Sequence, residues 1–126
     1  MRLWLPCAVA LTVLLVACGG SFARSTATPS SDPIAAQGQQ VFNQSCATCH
    51  ALSPDTIIVG PSLAGVASRA GSRAPGADAR QYLELSILKP DAYIVTGFSD
   101  VMPRDFGKKL TGEELDALVA FLLILE

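Results

Sequence analysis

One histidine, His50, serves the whole chain, and no run or stripe of lysine and arginine occurs anywhere in it. Without a basic face there is no electrostatic footprint for nucleic acid. No stretch alternates apolar and polar residues for long enough to argue a set of strands, and no segment repeats. Beyond the first eighteen residues only Cys46 and Cys49 remain as thiols. A structural zinc site takes four ligands, and a second histidine or further cysteine to close one is missing from the folded part. The missing strands also remove the βαβ surrounding that a thioredoxin-like redox pair needs.

With 126 residues the chain makes one domain at most once a targeting segment is removed. Half of its residues are apolar, and the excess lies at the start, MRLWLPCAVALTVLLVAC. Arg2 precedes an uncharged run from Leu3 to Ala17, shorter than the ~20 residues of a membrane-spanning helix. The run has the form of a signal-peptide core, with a basic start and small residues at its end. Leu15-Val16-Ala17-Cys18 resembles the lipobox of bacterial lipoproteins, which implies cleavage before Cys18 and lipidation of that residue. Two other outcomes stay open: ordinary cleavage after Ser21-Phe22-Ala23, and a short uncleaved anchor. The expected organisation is a signal peptide over 1–17, a lipidated Cys18 with a flexible linker over 18–32, and a folded domain over 33–126. From Cys18 onward eight basic residues stand against eleven acidic, a net charge of −3.

Within the domain, Asp32 followed by Pro33 predicts a helix start, with Asp32 as cap and Pro33 at the first position. Gly38 falls inside that helix, where a glycine costs about 1 kcal/mol against alanine. Residues 53–76 read as loop, punctuated by Pro54, Gly60-Pro61, Gly65, Gly71 and Pro75-Gly76. Asp78 caps a second predicted helix, ARQYLELSIL, which must stop before Pro90 and shows Tyr82, Leu85 and Leu88 at helical spacing. Residues 94–107 read as another loop. Thr111-Gly112-Glu113-Glu114 is a capping box that opens a last helix. The expectation is all-α: three to four helices joined by long loops, and such loops need something to pack against.

That something is announced by Cys46-Ala47-Thr48-Cys49-His50. Cys-x-x-Cys-His is the attachment signature of c-type haem. Thiols three positions apart lie on one helical face, where both can reach the vinyl groups along one haem edge and form thioethers. His50 then supplies a nitrogen to iron. For the other face of the iron the domain has one methionine, Met102, in a loop with Pro103 after it and Gly97 and Gly107 on either side. Met/His ligation is the cytochrome c arrangement.

CATCH, then Gly60-Pro61-Ser62-Leu63-Ala64-Gly65, then Val101-Met102-Pro103, then a terminal amphipathic helix resemble class I cytochromes c in kind and order. The resemblance covers about Ile34 to Leu125. It implies a small cytochrome c fold wrapped around one covalent haem c, and a carbonyl of Pro61 accepting the free ring N–H of His50. It implies that Gly38 and Phe42 cross the last helix near Phe121, and that Arg69 faces a haem propionate, with Arg73 as the fallback and a solvated surface arginine as the alternative. The stretch ILKPDAYIVTGFSDVMP is also similar to the cytochrome c domain of some bacterial cytochrome c oxidase second subunits. The sequence contains neither their copper-binding domain nor their helical hairpin, so no oxidase activity of its own is expected.

The function expected is single-electron transfer by an exported, lipid-anchored mono-haem protein, not an enzyme. It would run between respiratory or photosynthetic membrane complexes, at the periplasmic or other extracytoplasmic face of a bacterial membrane. A permanent haem c subunit of a quinol-oxidising or oxidase complex is the alternative. A haem peroxidase or gas sensor is a third reading, and it requires Met102 to be a bystander. Arg104, Lys108 and Lys109 lie near Met102, but with Asp100 and Asp105 interleaved they read as a solvated mixed surface.

Overall fold

A computed structural model describes residues 31–126; the apolar leader, Cys18 and the linker up to residue 30 lie outside the described residues. Among the described residues five α-helices follow in order: α1 (Pro33–Ser45), α2 (Val66–Ala70), α3 (Ala79–Leu88), α4 (Phe106–Lys109) and α5 (Gly112–Leu122). A 3-10 turn covers Pro90–Ala92, and no strand occurs among the described residues.

The three longer helices begin where their caps predict. Asp32 accepts a hydrogen bond from the Ile34 amide at 2.9 Å, and Pro33 occupies a position whose N–H has no helical partner. Asp78 accepts from the Gln81 amide at 2.8 Å while the Gln81 side chain accepts from the Asp78 amide at 3.2 Å. Thr111 and Glu114 make the same reciprocal pair, with Glu114 accepting from the Thr111 amide at 2.8 Å. Acidic Glu113 and Glu114 in the first turn of α5 also favour its helix dipole.

α1 and α5 form the most extensive helix–helix contact. On α1, Ala35, Gly38, Val41 and Phe42 are buried; on α5, Ala117, Leu118, Val119, Phe121 and Leu122 are buried. The backbones meet at Gly38. A Cβ there would collide with the Ala117 carbonyl and stand 2.7 Å from Phe121 Cβ. One turn further on, the rings of Phe42 and Phe121 pack with centroids 5.7 Å apart. The missing side chain is what lets the two helices cross this closely, so its cost in helix propensity is recovered in packing. Gly38→Ala is therefore expected to destabilise the protein. The gain of about 1 kcal/mol in propensity is outweighed because the obstructing atoms are backbone, and overpacking of this kind costs about 1–3 kcal/mol or more. Denaturant unfolding of the haem-loaded protein reads this directly; a raised midpoint would mean that the crossing has slack.

Two helices depart from the loops expected over 53–76 and 94–107. Both α2 and α4 are single turns whose stability comes from elsewhere in the chain. The Ala67 amide on α2 donates to the Leu125 carbonyl at 3.1 Å, and α4 is pinned by buried Phe106. The buried face of α3 also differs from the expected Tyr82/Leu85/Leu88 stripe: Tyr82, Leu83 and Ile87 are buried, and Leu88 is partly exposed. Steps of three fall short of a full helical turn by about 60° each, so by Leu88 the stripe has rotated off the core. Tyr82 meets Tyr93 edge to face, with centroids 5.7 Å apart, which ties α3 to the loop after the 3-10 turn.

Candidate functional site

The site begins where α1 ends. Cys46 caps the helix with φ −121° and ψ −32°, and its amide still donates to Phe42. The cysteine pair thus lies on a turn that continues the helical path, beyond the helix proper. The amides of Cys49 and His50 both donate to the Cys46 carbonyl, at 3.0 and 2.9 Å, and hold the turn closed. Neither thiol is in a disulfide. Burial, with a smaller contribution from Cys49 beside it, pushes the Cys46 thiol up to about 11, so at neutral pH it is protonated.

The chain returns over this turn at residues 59–61. Val59 and Gly60 amides both donate to the Cys49 carbonyl, at 3.2 and 2.9 Å. The Pro61 carbonyl then lies 2.8 Å from His50 Nδ1. A carbonyl oxygen only accepts, so Nδ1 carries a proton, and in the neutral imidazole Nε2 is then the nitrogen with a lone pair for a metal. Gly60 rests directly on the imidazole: a Cβ there would stand 2.9 Å from each ring nitrogen. The ring is therefore fixed by a hydrogen bond at one position and by backbone against its face.

A cleft enclosing about 790 Å³, open mouth included, runs along this arrangement. Cys46, Cys49, His50 and Met102 all line it, and Tyr93, Phe98 and Phe106 contribute aromatic wall. Asp100 is the one carboxylate in its lining, which holds no lysine or arginine. A second cavity of about 510 Å³, walled by Phe42, Leu83, Ile87 and Leu118, shares Cys46, His50 and Met102 with the first. These three residues stand where the two spaces meet.

The Met102 segment is tied at its flanks. Arg104 pairs with Asp100 and, at 3.6 Å, with Asp91 in the 3-10 turn. Lys109 Nζ lies 2.8 Å from Asp105, and this hydrogen bond holds the Asp105 carboxyl below the ordinary carboxylate range. The basic residues near Met102 thus stand largely as mixed-sign surface pairs. Arg69 is placed differently from the other expected site residues. Its guanidinium donates to the Ala64 carbonyl at 2.6 Å and to the Ser62 carbonyl at 3.2 Å, and it does not line the main cleft. There it braces the loop that follows Pro61, together with Ser62 Oγ donating to the Ser53 carbonyl at 2.7 Å. The aromatic wall formed by Tyr93 and Phe98 was not singled out in the sequence; aromatics clustered ahead of a loop methionine were the available signal.

Residues 35–126 match the family model described as Cytochrome c. The chain belongs to the cytochrome c family. No individual curated protein matches it. This cytochrome c carries haem c bound covalently, and Cys46 and Cys49 are positioned for the Cys-x-x-Cys-His attachment. The residues present fit the group: paired thiols on one wall, an imidazole whose tautomer leaves Nε2 free, an apolar lining and a thioether in the same cleft. When bound, haem supplies a one-electron iron couple. The protein supplies attachment, ligand orientation and exclusion of water.

Proposed function

We propose that this cytochrome c is an exported, lipid-anchored mono-haem electron carrier that serves membrane redox complexes at the extracytoplasmic, in a Gram-negative cell periplasmic, face of a bacterial membrane. The observation that carries the reading is one cleft lined by both His50, whose Nδ1 is bonded to the Pro61 carbonyl, and Met102. Two such side chains would hold haem iron between them, and with both bound no position would remain for oxygen or peroxide. The protein is then a carrier and not an enzyme, and the peroxidase and gas-sensor readings lose their open site. Reduced-minus-oxidised spectroscopy of the purified protein, with carbon monoxide added to the ferrous form, tests this. Expected are a reversible one-electron couple, an absorption band from the Met–iron bond, and no carbon monoxide shift. A prompt shift in the native protein would favour the open-iron readings.

Localisation rests on Cys18, which closes the apolar run of the leader. Cys18→Ser is expected to move the haem protein from the membrane to the soluble fraction, or to leave it as uncleaved precursor, as read by fractionation and intact mass. A native N-terminus at Arg24 would replace the lipid anchor with ordinary signal cleavage. A single acyl chain binds a membrane only marginally, whereas the several chains of a processed bacterial lipoprotein hold firmly. Confinement raises the effective concentration toward membrane complexes.

A second reading, a permanent haem subunit of a quinol-oxidising or oxidase complex, is favoured by the ILKPDAYIVTGFSDVMP stretch, whose residues form much of the cleft wall between Pro90 and Pro103. Comigration of all the haem protein with one large detergent-solubilised complex would select it.

A further inference from the structure

Ile57, Ile58 and Val59 are three consecutive branched aliphatic residues on the surface, 67%, 51% and 51% exposed. Exposed apolar residues scattered singly mean little, but a contiguous group beside a functional site marks a contact surface. Val59 lines the cleft, where a haem would cover part of it; Ile57 and Ile58 do not line the cleft. The segment is also held in place. The Val59 and Gly60 amides are bonded to the Cys49 carbonyl, and the Thr56 hydroxyl donates to the Pro54 carbonyl at 3.3 Å. Val101, another residue of the cleft lining, is 62% exposed, and Arg104 is already paired with Asp100 and Asp91.

We propose that Ile57 and Ile58, with the outer part of Val59, are the contact by which the protein docks transiently on an apolar, uncharged patch of its redox partner, placing that partner beside the Cys49 attachment point. This rests on the carrier reading above. The charge pattern chooses the partner's chemistry. Between His50 and Arg69 the single charged residue is Asp55, so the segment that carries the patch supplies no lysine or arginine. An interfacial membrane segment draws on basic residues and on tryptophan or tyrosine, and this loop has neither. An oppositely charged protein would find no field to follow. A second copy of this chain is disfavoured by size. Stable dimers bury more than about 1,000 Å², which three half-exposed aliphatic side chains do not approach, whereas redox encounters occupy the small end of the range.

The test is electron exchange of the haem-loaded full chain with gold electrodes bearing methyl-, carboxylate- or amine-terminated alkanethiolate monolayers. Native protein and the Ile57→Ser/Ile58→Ser variant are compared; their N-termini are identical, so anchoring is equal and the difference reads the patch. Both positions are exposed, and the spectrum and midpoint potential should not change. The native protein is expected to exchange fastest with the methyl surface, with little dependence on salt. The variant should exchange there about tenfold more slowly, the scale expected for losing two aliphatic contacts, and equally fast on the charged surfaces. Equal rates for both proteins on the methyl surface overturn the proposal, as does a native preference for a charged surface with steep salt dependence. Two further measurements assign the patch to another occupant and so also overturn it. One is loss, in the variant, of binding to neutral phosphatidylcholine vesicles. The other is a native dimer in sedimentation that the variant converts to monomer. Failure of the native protein to show any reversible wave would instead remove the carrier reading itself.

Discussion

Replacing Cys46 and Cys49 together by serine is expected to abolish haem staining on a denaturing gel and to remove cooperative unfolding. The first effect follows from chemistry, since the two thiols are the ones positioned to attach haem covalently. The second follows from where the cleft lies. Cys46 and Met102 pack against the same cluster that contains Phe42, Tyr82, Leu83 and Leu118, and the two cavities meet at Cys46, His50 and Met102. The long loops around residues 53–65 and 93–105 turn apolar side chains toward that space. Without a group in it, Val59, Phe98 and Phe106 lose a packing partner. A domain of this size has about 5–15 kcal/mol of net stability, and apolar burial is worth about 25 cal/mol per Å², so a cofactor-sized loss of contact consumes much of it. The α1–α5 crossing involves none of the loops and should retain helix. Far-ultraviolet dichroism should therefore fall only in part while the near-ultraviolet signal collapses. Either single substitution leaves one thioether and should give stained protein at reduced yield. A double variant that melts as sharply as the native protein would show that the helices alone carry the fold.

What could be read from the sequence was whatever is decided within a few residues. Asp32-Pro33, Asp78 and Thr111–Glu114 each fix a helix start through side chains that bond amides two or three positions on. Cys46 to His50 is equally local, and so was legible. α2 and α4 were not, because one turn has no periodicity to display and each is held by a distant group: the Leu125 carbonyl for α2 and the core around Phe106 for α4. The same limit applies to Arg69. Gly65 takes a left-handed conformation, φ 65°, just before α2, and the carbonyls of Ser62 and Ala64 are the ones that receive the guanidinium. No residue-type pattern encodes that geometry. Gly38 is the instructive intermediate. Its position inside a helix is visible as a cost and the resemblance implies a crossing near Phe121, but the atoms that forbid a side chain belong to the Ala117 carbonyl, nearly eighty residues away.

Met102→Ala separates attachment from ligation. The thioethers at Cys46 and Cys49 do not depend on Met102, and His50 keeps its Pro61 hydrogen bond at 2.8 Å, so haem should remain bound and oriented on that side. A carbonyl accepting the Nδ1 proton also makes Nε2 a stronger donor, which holds the histidine face while the other is vacated. Truncating the partly buried methionine removes packing as well, a cost of about 2–3 kcal/mol at such a site, smaller than the effect of losing haem. Thioether sulfur favours ferrous iron, so its loss should lower the midpoint potential. Axial ligation tunes haem over a span of about 0.8 V, and a shift on the order of 0.2 V is expected. The band of the Met–iron bond should disappear, and cyanide or carbon monoxide should now bind. A redox titration of both proteins with spectra in each state gives all three readouts together. If the variant keeps the band and the midpoint, Met102 only fills the space beside Phe106, and the iron must take its second ligand from elsewhere. If the band goes but the midpoint holds, the potential is set by the apolar wall of Tyr93, Phe98 and Phe106, and ligand identity is secondary to the exclusion of water.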